Sequence, residues 1–201
     1  MKTVSALFDD YTDASAAVSA LESRGVHSDH ISIVSNNGDK RHDRDDSNAA
    51  EGAGTGAEIG AALGGAGGLM TGLGLMAIPG VGPVIAAGWL AATAAGAVAG
   101  AVAGGAAGGL IRALTDSGVS DVDANLFAEG VRRGGTLVSA KVEDDMETEA
   151  NSILQRSNWV DPSSRRDAYA PDGWTKFDDT REPYGEAEIE QERQRHRNSA
   201  I

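Results

Sequence analysis

Residues 59–111 read IGAALGGAGGLMTGLGLMAIPGVGPVIAAGWLAATAAGAVAGAVAGGAAGGLI, 53 consecutive positions without Asp, Glu, Lys, Arg or His. Glycine recurs every fourth position through the first part, at Gly56, Gly60, Gly64, Gly68 and Gly72. The spacing returns at Gly88, Gly96, Gly100, Gly104 and Gly108, with Ala92 holding the missing step. Between the two runs lies Ile78-Pro79-Gly80-Val81-Gly82-Pro83, which no single helix runs through. Glycine costs about 1 kcal/mol relative to alanine in a helix interior. Such a stretch is therefore helical only where close backbone packing compensates, as small-residue seams allow. The pattern predicts two helices folded back on each other, with these small residues as the packing seam.

Two settings suit that hairpin. Ile59 to Ile78 is 20 residues, about 30 Å as a helix, and matches a bilayer core. Lys40, Arg41 and Arg44 before it and Arg112 after it would then keep both ends on the cytoplasmic side. Against this, only eight of the 28 residues from Val84 to Ile111 are Val, Ile, Leu or Trp, so each arm partitions weakly into lipid. The other setting is a hairpin buried in water-soluble protein or against copies of itself. Trp89 suits either a headgroup anchor or a plug beneath the turn.

Working outward, Val4, Ala6 and Phe8 alternate as in a half-buried strand. Asp10 can cap a following helix, in which Ala14, Ala17, Val18 and Leu21 form one apolar face and Gly25 supplies the stop. His30 to Val34 reads as a second strand. On the far side, Ser120 caps a helix over about 121–133 with Ala124, Phe127, Ala128 and Val131 on one face, and Gly134-Gly135 ends it. Thr136 to Val142 is a strand. Asp144-Asp145 opens a helix with Met146, Ala150, Ile153 and Leu154 inward, Asn158 stops it, and Trp159-Val160 forms a short last strand.

These halves predict an α+β fold, a ferredoxin-like four-stranded antiparallel sheet with two helices on one face. The domain halves are residues 1–35 and 135–161. Residues 36–51 form a flexible charged loop, 52–115 the glycine-zipper hairpin, 116–134 an amphipathic linking helix and 162–201 a disordered charged tail. The insertion would join strands at opposite edges of the sheet. Tyr169, Trp174, Phe177 and Tyr184 are scattered through the tail, and residues 187–197 form at most a transient helix through Glu–Arg pairs.

A net charge of −13 argues against a sequence-independent grip on nucleic acid. The absence of cysteine excludes disulfides and thiolate metal sites, and suits a reducing compartment. No secretory leader is evident after Met1, so the expected location is the cytoplasm, with attachment to the inner face of its membrane if the hairpin inserts. Gly72-Leu73-Gly74-Leu75-Met76-Ala77 fits a loose dinucleotide pattern, but no strand precedes it and no acidic ribose partner follows. His27, Asp29 and His30 bridge a turn rather than share a helix face, and His42 lies in a solvated charge run. Asp9-Asp10 and Asp144-Asp145 sit at strand-to-helix junctions, where capping and the helix dipole account for them. Arg132 and Arg133 close a helix at its negative end; contact with anionic headgroups is the alternative. No catalytic, cofactor or metal residues are expected.

The runs Val4-Ser5-Ala6-Leu7-Phe8-Asp9, Ala20 to Val26 and Ile31 to Val34 resemble the N-terminal domain of bacterial general stress proteins of the seventeen-M-like type. Gly80 to Val84 and Ala128 to Val138 are similar to its long subgroup with a glycine-zipper insertion. The resemblance implies a stress-inducible, non-enzymatic protein. Its expected partners are itself, as a homo-oligomer, or a lipid bilayer. The alternative is a ligand- or signal-binding module using the open face of the sheet.

Overall fold

The computed structural model describes residues 1–39, 74–78, 80–93 and 107–199. The fold is mixed α/β, built on five antiparallel strands: β1 (Lys2–Phe8), β2 (Ile31–Asn36), β3 (Gly74–Ile78), β4 (Gly82–Gly88) and β5 (Thr136–Val142). Their order across the sheet is β1-β5-β2-β4-β3. β2 and β5 were expected at opposite edges. They are neighbours, with Ile33 opposite Val138.

Helices lie against both faces. On one, α1 (Tyr11–Ser23) and α4 (Glu147–Arg156) pack Leu21, Val18, Ile153 and Leu154 against Val4, Phe8, Ile31, Ile33 and Val138. On the other, α2 (Ala107–Asp116) and α3 (Asp121–Arg132) pack Leu110, Leu114, Phe127 and Val131 against Leu7, Val34, Val84 and Leu137. The two faces follow from strand alternation: Val4, Ala6 and Phe8 serve one core, and Leu7 the other. The sheet face that the alternative reading left open for a ligand or signal is therefore covered.

Local signals place most of these elements as read. Gly25 has φ +89 and ends α1, while Asn158 at φ 59 ends the α4 region. Ser120 accepts from Asp123 N at 3.1 Å and starts α3. Asp10 occupies the N-cap of α1 but makes no side-chain cap bond. Val160 forms a single bridge to Leu7 in place of a full strand.

The charge-free stretch departs from expectation. Gly74–Ile78 and Gly82–Gly88 are strands, so neither predicted arm of the hairpin is helical throughout. Gly80 and Val81 lie in the turn between them, within the segment where the prolines and glycines predict a break. Every residue of β2 is buried. Backbone groups on the side of β2 away from β5 need partners, and β4 supplies them, pairing Ser32 to Gly88 through Asn36 to Val84. Gly88 serves this pairing rather than a helical seam. At φ +84, a Cβ there would sit 2.1 Å from Ile31 O.

Of the other seam residues, Ala92 lies in a helical turn over 89–93 and Gly108 in α2. Gly56, Gly60, Gly64, Gly68, Gly72, Gly96, Gly100 and Gly104 lie outside the described residues, as does loop segment 40–51. The first part of the expected loop is not exposed: Asn36 and Asn37 are buried. Trp89 packs on the core, with Lys141 Nζ 3.9 Å from its ring centroid. Among the described residues no helix is long and apolar enough to cross a membrane.

The tail, expected to be disordered, carries α5 (Pro162–Tyr169) and α6 (Glu186–Ser199). Asp161 caps α5 by accepting from Ser164 N at 2.8 Å, with Pro162 in the first turn. A hydrogen bond from the Ser163 hydroxyl, together with that from Ser164 N, holds the Asp161 carboxyl down at about 2.

Candidate functional site: a buried arginine cluster beside a groove

The cluster begins with a glycine in α3. A Cβ at Gly130 would lie 2.3 Å from Leu7 Cδ2, so its absence lets the C-terminal end of α3 press onto β1. That approach carries the following Arg132 and Arg133 into the interior, where they are 1% and 2% exposed. Burial of two guanidinium ions needs matching acceptors. Glu129, 0% exposed and one turn earlier, serves both. Arg132 Nε donates to it at 3.0 Å, and Arg132 Nη2 bonds its other oxygen. Arg133 Nε donates to it at 2.6 Å. A headgroup contact for either arginine is thereby excluded.

The tail completes the enclosure. Arg133 Nη1 donates to Asp172 at 2.7 Å and to Glu192 of α6 at 3.2 Å, and its guanidinium lies 3.9 Å over the Tyr169 ring. Arg132 lies 5.4 Å from the Tyr184 ring and 5.9 Å from Phe177. Arg165 Nη2 donates to Asp9 at 2.7 Å, and Arg193 Nη1 to Asp39 at 2.6 Å. Tyr169, Phe177 and Tyr184 of the tail thus cover the two core arginines, and Trp174 packs edge-on against Tyr169. α6 seats Ile189 where Gly134, at φ +106, has no side chain; a Cβ there would meet Ile189 Cγ2 at 2.6 Å.

Electrostatics follow the geometry. Burial opposes the charge of Arg133, but hydrogen bonds to Asp172 and Glu129 outweigh it and raise its pKa. The Arg133 bond holds the Asp172 carboxyl below its ordinary range. Burial would raise Glu192, yet His196 and Arg133 beside it bring it down. Burial pushes the Tyr169 hydroxyl up to about 12, against the pull of Arg165 and Arg133.

Inside the cluster is a cavity of about 10 Å³, space for one water-sized sphere. It adjoins a groove of about 340 Å³ between the C-terminal end of β1, α5 and α6. Asp9, Arg165, Arg193 and His196 line both. Sequence reading located Arg132 and Arg133 but assigned them to the helix dipole or to headgroups, and it assigned the tail aromatics to disorder. The available signal was Glu129 at three and four residues before the arginine pair.

A protein-family model described as a heat induced stress protein YflT domain matches residues 3–80. The match supports kinship with general stress proteins. It spans β1, α1, β2 and β3, and stops short of β5 and the arginine cluster. No curated protein and no solved structure matches the chain.

Proposed function

We propose that this is a non-enzymatic general stress-response protein that works by self-association, through the outer edge of β3 and the charge-free sequence around it. In this reading β1–α1–β2 and β5–α4–Val160 form a ferredoxin-like core, and β3–β4 and α2–α3 are additions to it. The observation that carries the proposal is the sheet edge. Among the described residues β3 pairs on one side only, through β4, and Leu75 on it is 62% exposed. An unpaired edge of this kind is a template for a second strand, and soluble proteins ordinarily protect it with charge or proline. β3 carries neither. The stress-protein match at residues 3–80 supports the response role.

The test is light scattering over a concentration series. Wild type is expected to form dimers or larger species, and Leu75→Lys to shift the equilibrium to monomer with an unchanged circular dichroism spectrum. Gly64→Leu and Gly100→Leu probe the flanking sequence in the same assay. A wild type monomeric at every concentration would overturn the proposal. So would protein retained in membrane pellets after salt and alkaline carbonate washes.

A further inference from the structure

Seven buried side-chain polar atoms lack a hydrogen-bond partner among the described residues, and four belong to residues lining the inner cavity. These are Arg133 Nη2, Tyr169 OH, Arg193 Nε and His196 Nε2. His196 Nε2 sits 3.3 Å from Glu192 Oε1 without hydrogen-bond geometry. Arginine nitrogens only donate, and a tyrosine hydroxyl can donate. A set of this composition around one cavity calls for an acceptor. Burial sharpens the need: Arg133 is 2% exposed and Tyr169 0%, so leaving these groups unmet is costly.

The cavity by itself admits one oxygen-sized atom. The groove behind Arg193 and His196 is large enough for the rest of a small molecule, and it adds Ser164, Trp159 and Arg197 to the wall. We propose that this groove binds a small oxyanion-bearing molecule, a phosphate or carboxylate group placing one oxygen in the inner cavity against Arg133, Tyr169, Arg193 and His196. The inference is independent of self-association, because the groove lies between β1, α5 and α6 whereas the proposed contact is the β3 edge.

The expected affinity is weak. Asp9 and Glu192 also line the inner cavity, Asp9, Asp10 and Asp161 line the groove, and the chain carries a net charge of −13. Recognition therefore rests on directed hydrogen bonds rather than on bulk attraction.

The experiment titrates the full chain by calorimetry with inorganic phosphate and, separately, with acetate, ionic strength held constant with sodium chloride. Saturable binding at millimolar concentration is expected for at least one of them. Tyr169→Phe removes one donor and keeps the ring, and should weaken binding about 5- to 10-fold. Arg197→Gln alters an exposed groove residue without touching the cluster; it should weaken binding while the thermal transition stays in place. No saturable binding of either probe overturns the proposal, since a single water then fills the cavity. Equal affinity in wild type and both variants overturns it as well.

Discussion

α1 and α6 are helices of similar length, 13 and 14 residues, that dock by opposite means. α1 buries Ala14, Ala17, Val18 and Leu21, an apolar face visible in its own sequence. α6 buries one isoleucine, Ile189, together with a carboxylate, Glu192. The other contacts that hold α6 are mainly ionic and polar: Glu192 to Arg133, Arg193 to Asp39 and to the Gly134 carbonyl, and Arg195 to Asp172. Burial of apolar area is indifferent to direction, so α1 needs only a matching surface. The docking of α6 depends on a guanidinium already buried by another element. A charged segment is thus ordered when the core presents it with a buried ion whose remaining donors the segment can meet.

Three measurements sharpen or break this contrast. Glu129→Ala should have the largest effect, about 3–5 kcal/mol, because it leaves Arg132 and Arg133 buried without their shared acceptor. Chemical denaturation should register it, and limited proteolysis should show cleavage within 162–199 first. Equal protection of tail and core in the variant would refute the ionic account of tail docking.

Leu21→Ala and Ile189→Ala form the next pair. Each removes a side chain that is 0% exposed, and each should cost about 2–5 kcal/mol at its site. The distribution is expected to differ. Hydrogen exchange should show Leu21→Ala lowering protection throughout the sheet, and Ile189→Ala lowering it in α6 alone. Uniform loss in both variants would mean that the tail and the core unfold as one unit.

Acid should give the smallest effect. The folded-state values of Asp172 and Glu192 lie below their ordinary 3.8 and 4.5. Depressed carboxylates stabilise fully above those ordinary values, and the contribution is lost as pH falls through the folded-state values. Tail amides should therefore lose exchange protection below about pH 4 before those of α1 do. Simultaneous loss would show that these carboxylates are not what secures the tail.

Strands β1, β2 and β5 and the helix layer of α1 and α4 were legible because each element carries its own pattern. Val4, Ala6 and Phe8 alternate; Ala14, Val18 and Leu21 repeat at helical spacing; Gly25 and Asn158 supply positive φ where helices stop. The β3–β4 hairpin was misread because a four-residue glycine period on either side was carried across it. Within 74–88 the glycines are Gly74, Gly80, Gly82 and Gly88, which do not keep that period. The arginine cluster was hidden for another reason. Arginines in a last helical turn ordinarily point to water, and only the close approach permitted by Gly130 turns these two inward.

By itself the sequence determined which residues alternate, which repeat at helical spacing and where chain direction changes, since steric and hydrophobic preferences act over a few neighbours. Tertiary structure decided that Gly74–Ile78 and Gly82–Gly88 pair as strands, that α2 and α3 cover the second sheet face, and that the charged tail folds. Those outcomes depend on partners distant in the chain: the open side of β2, the apolar face left by Leu7 and Leu137, and the charges of Arg132 and Arg133. No local pattern encodes a debt that another element creates.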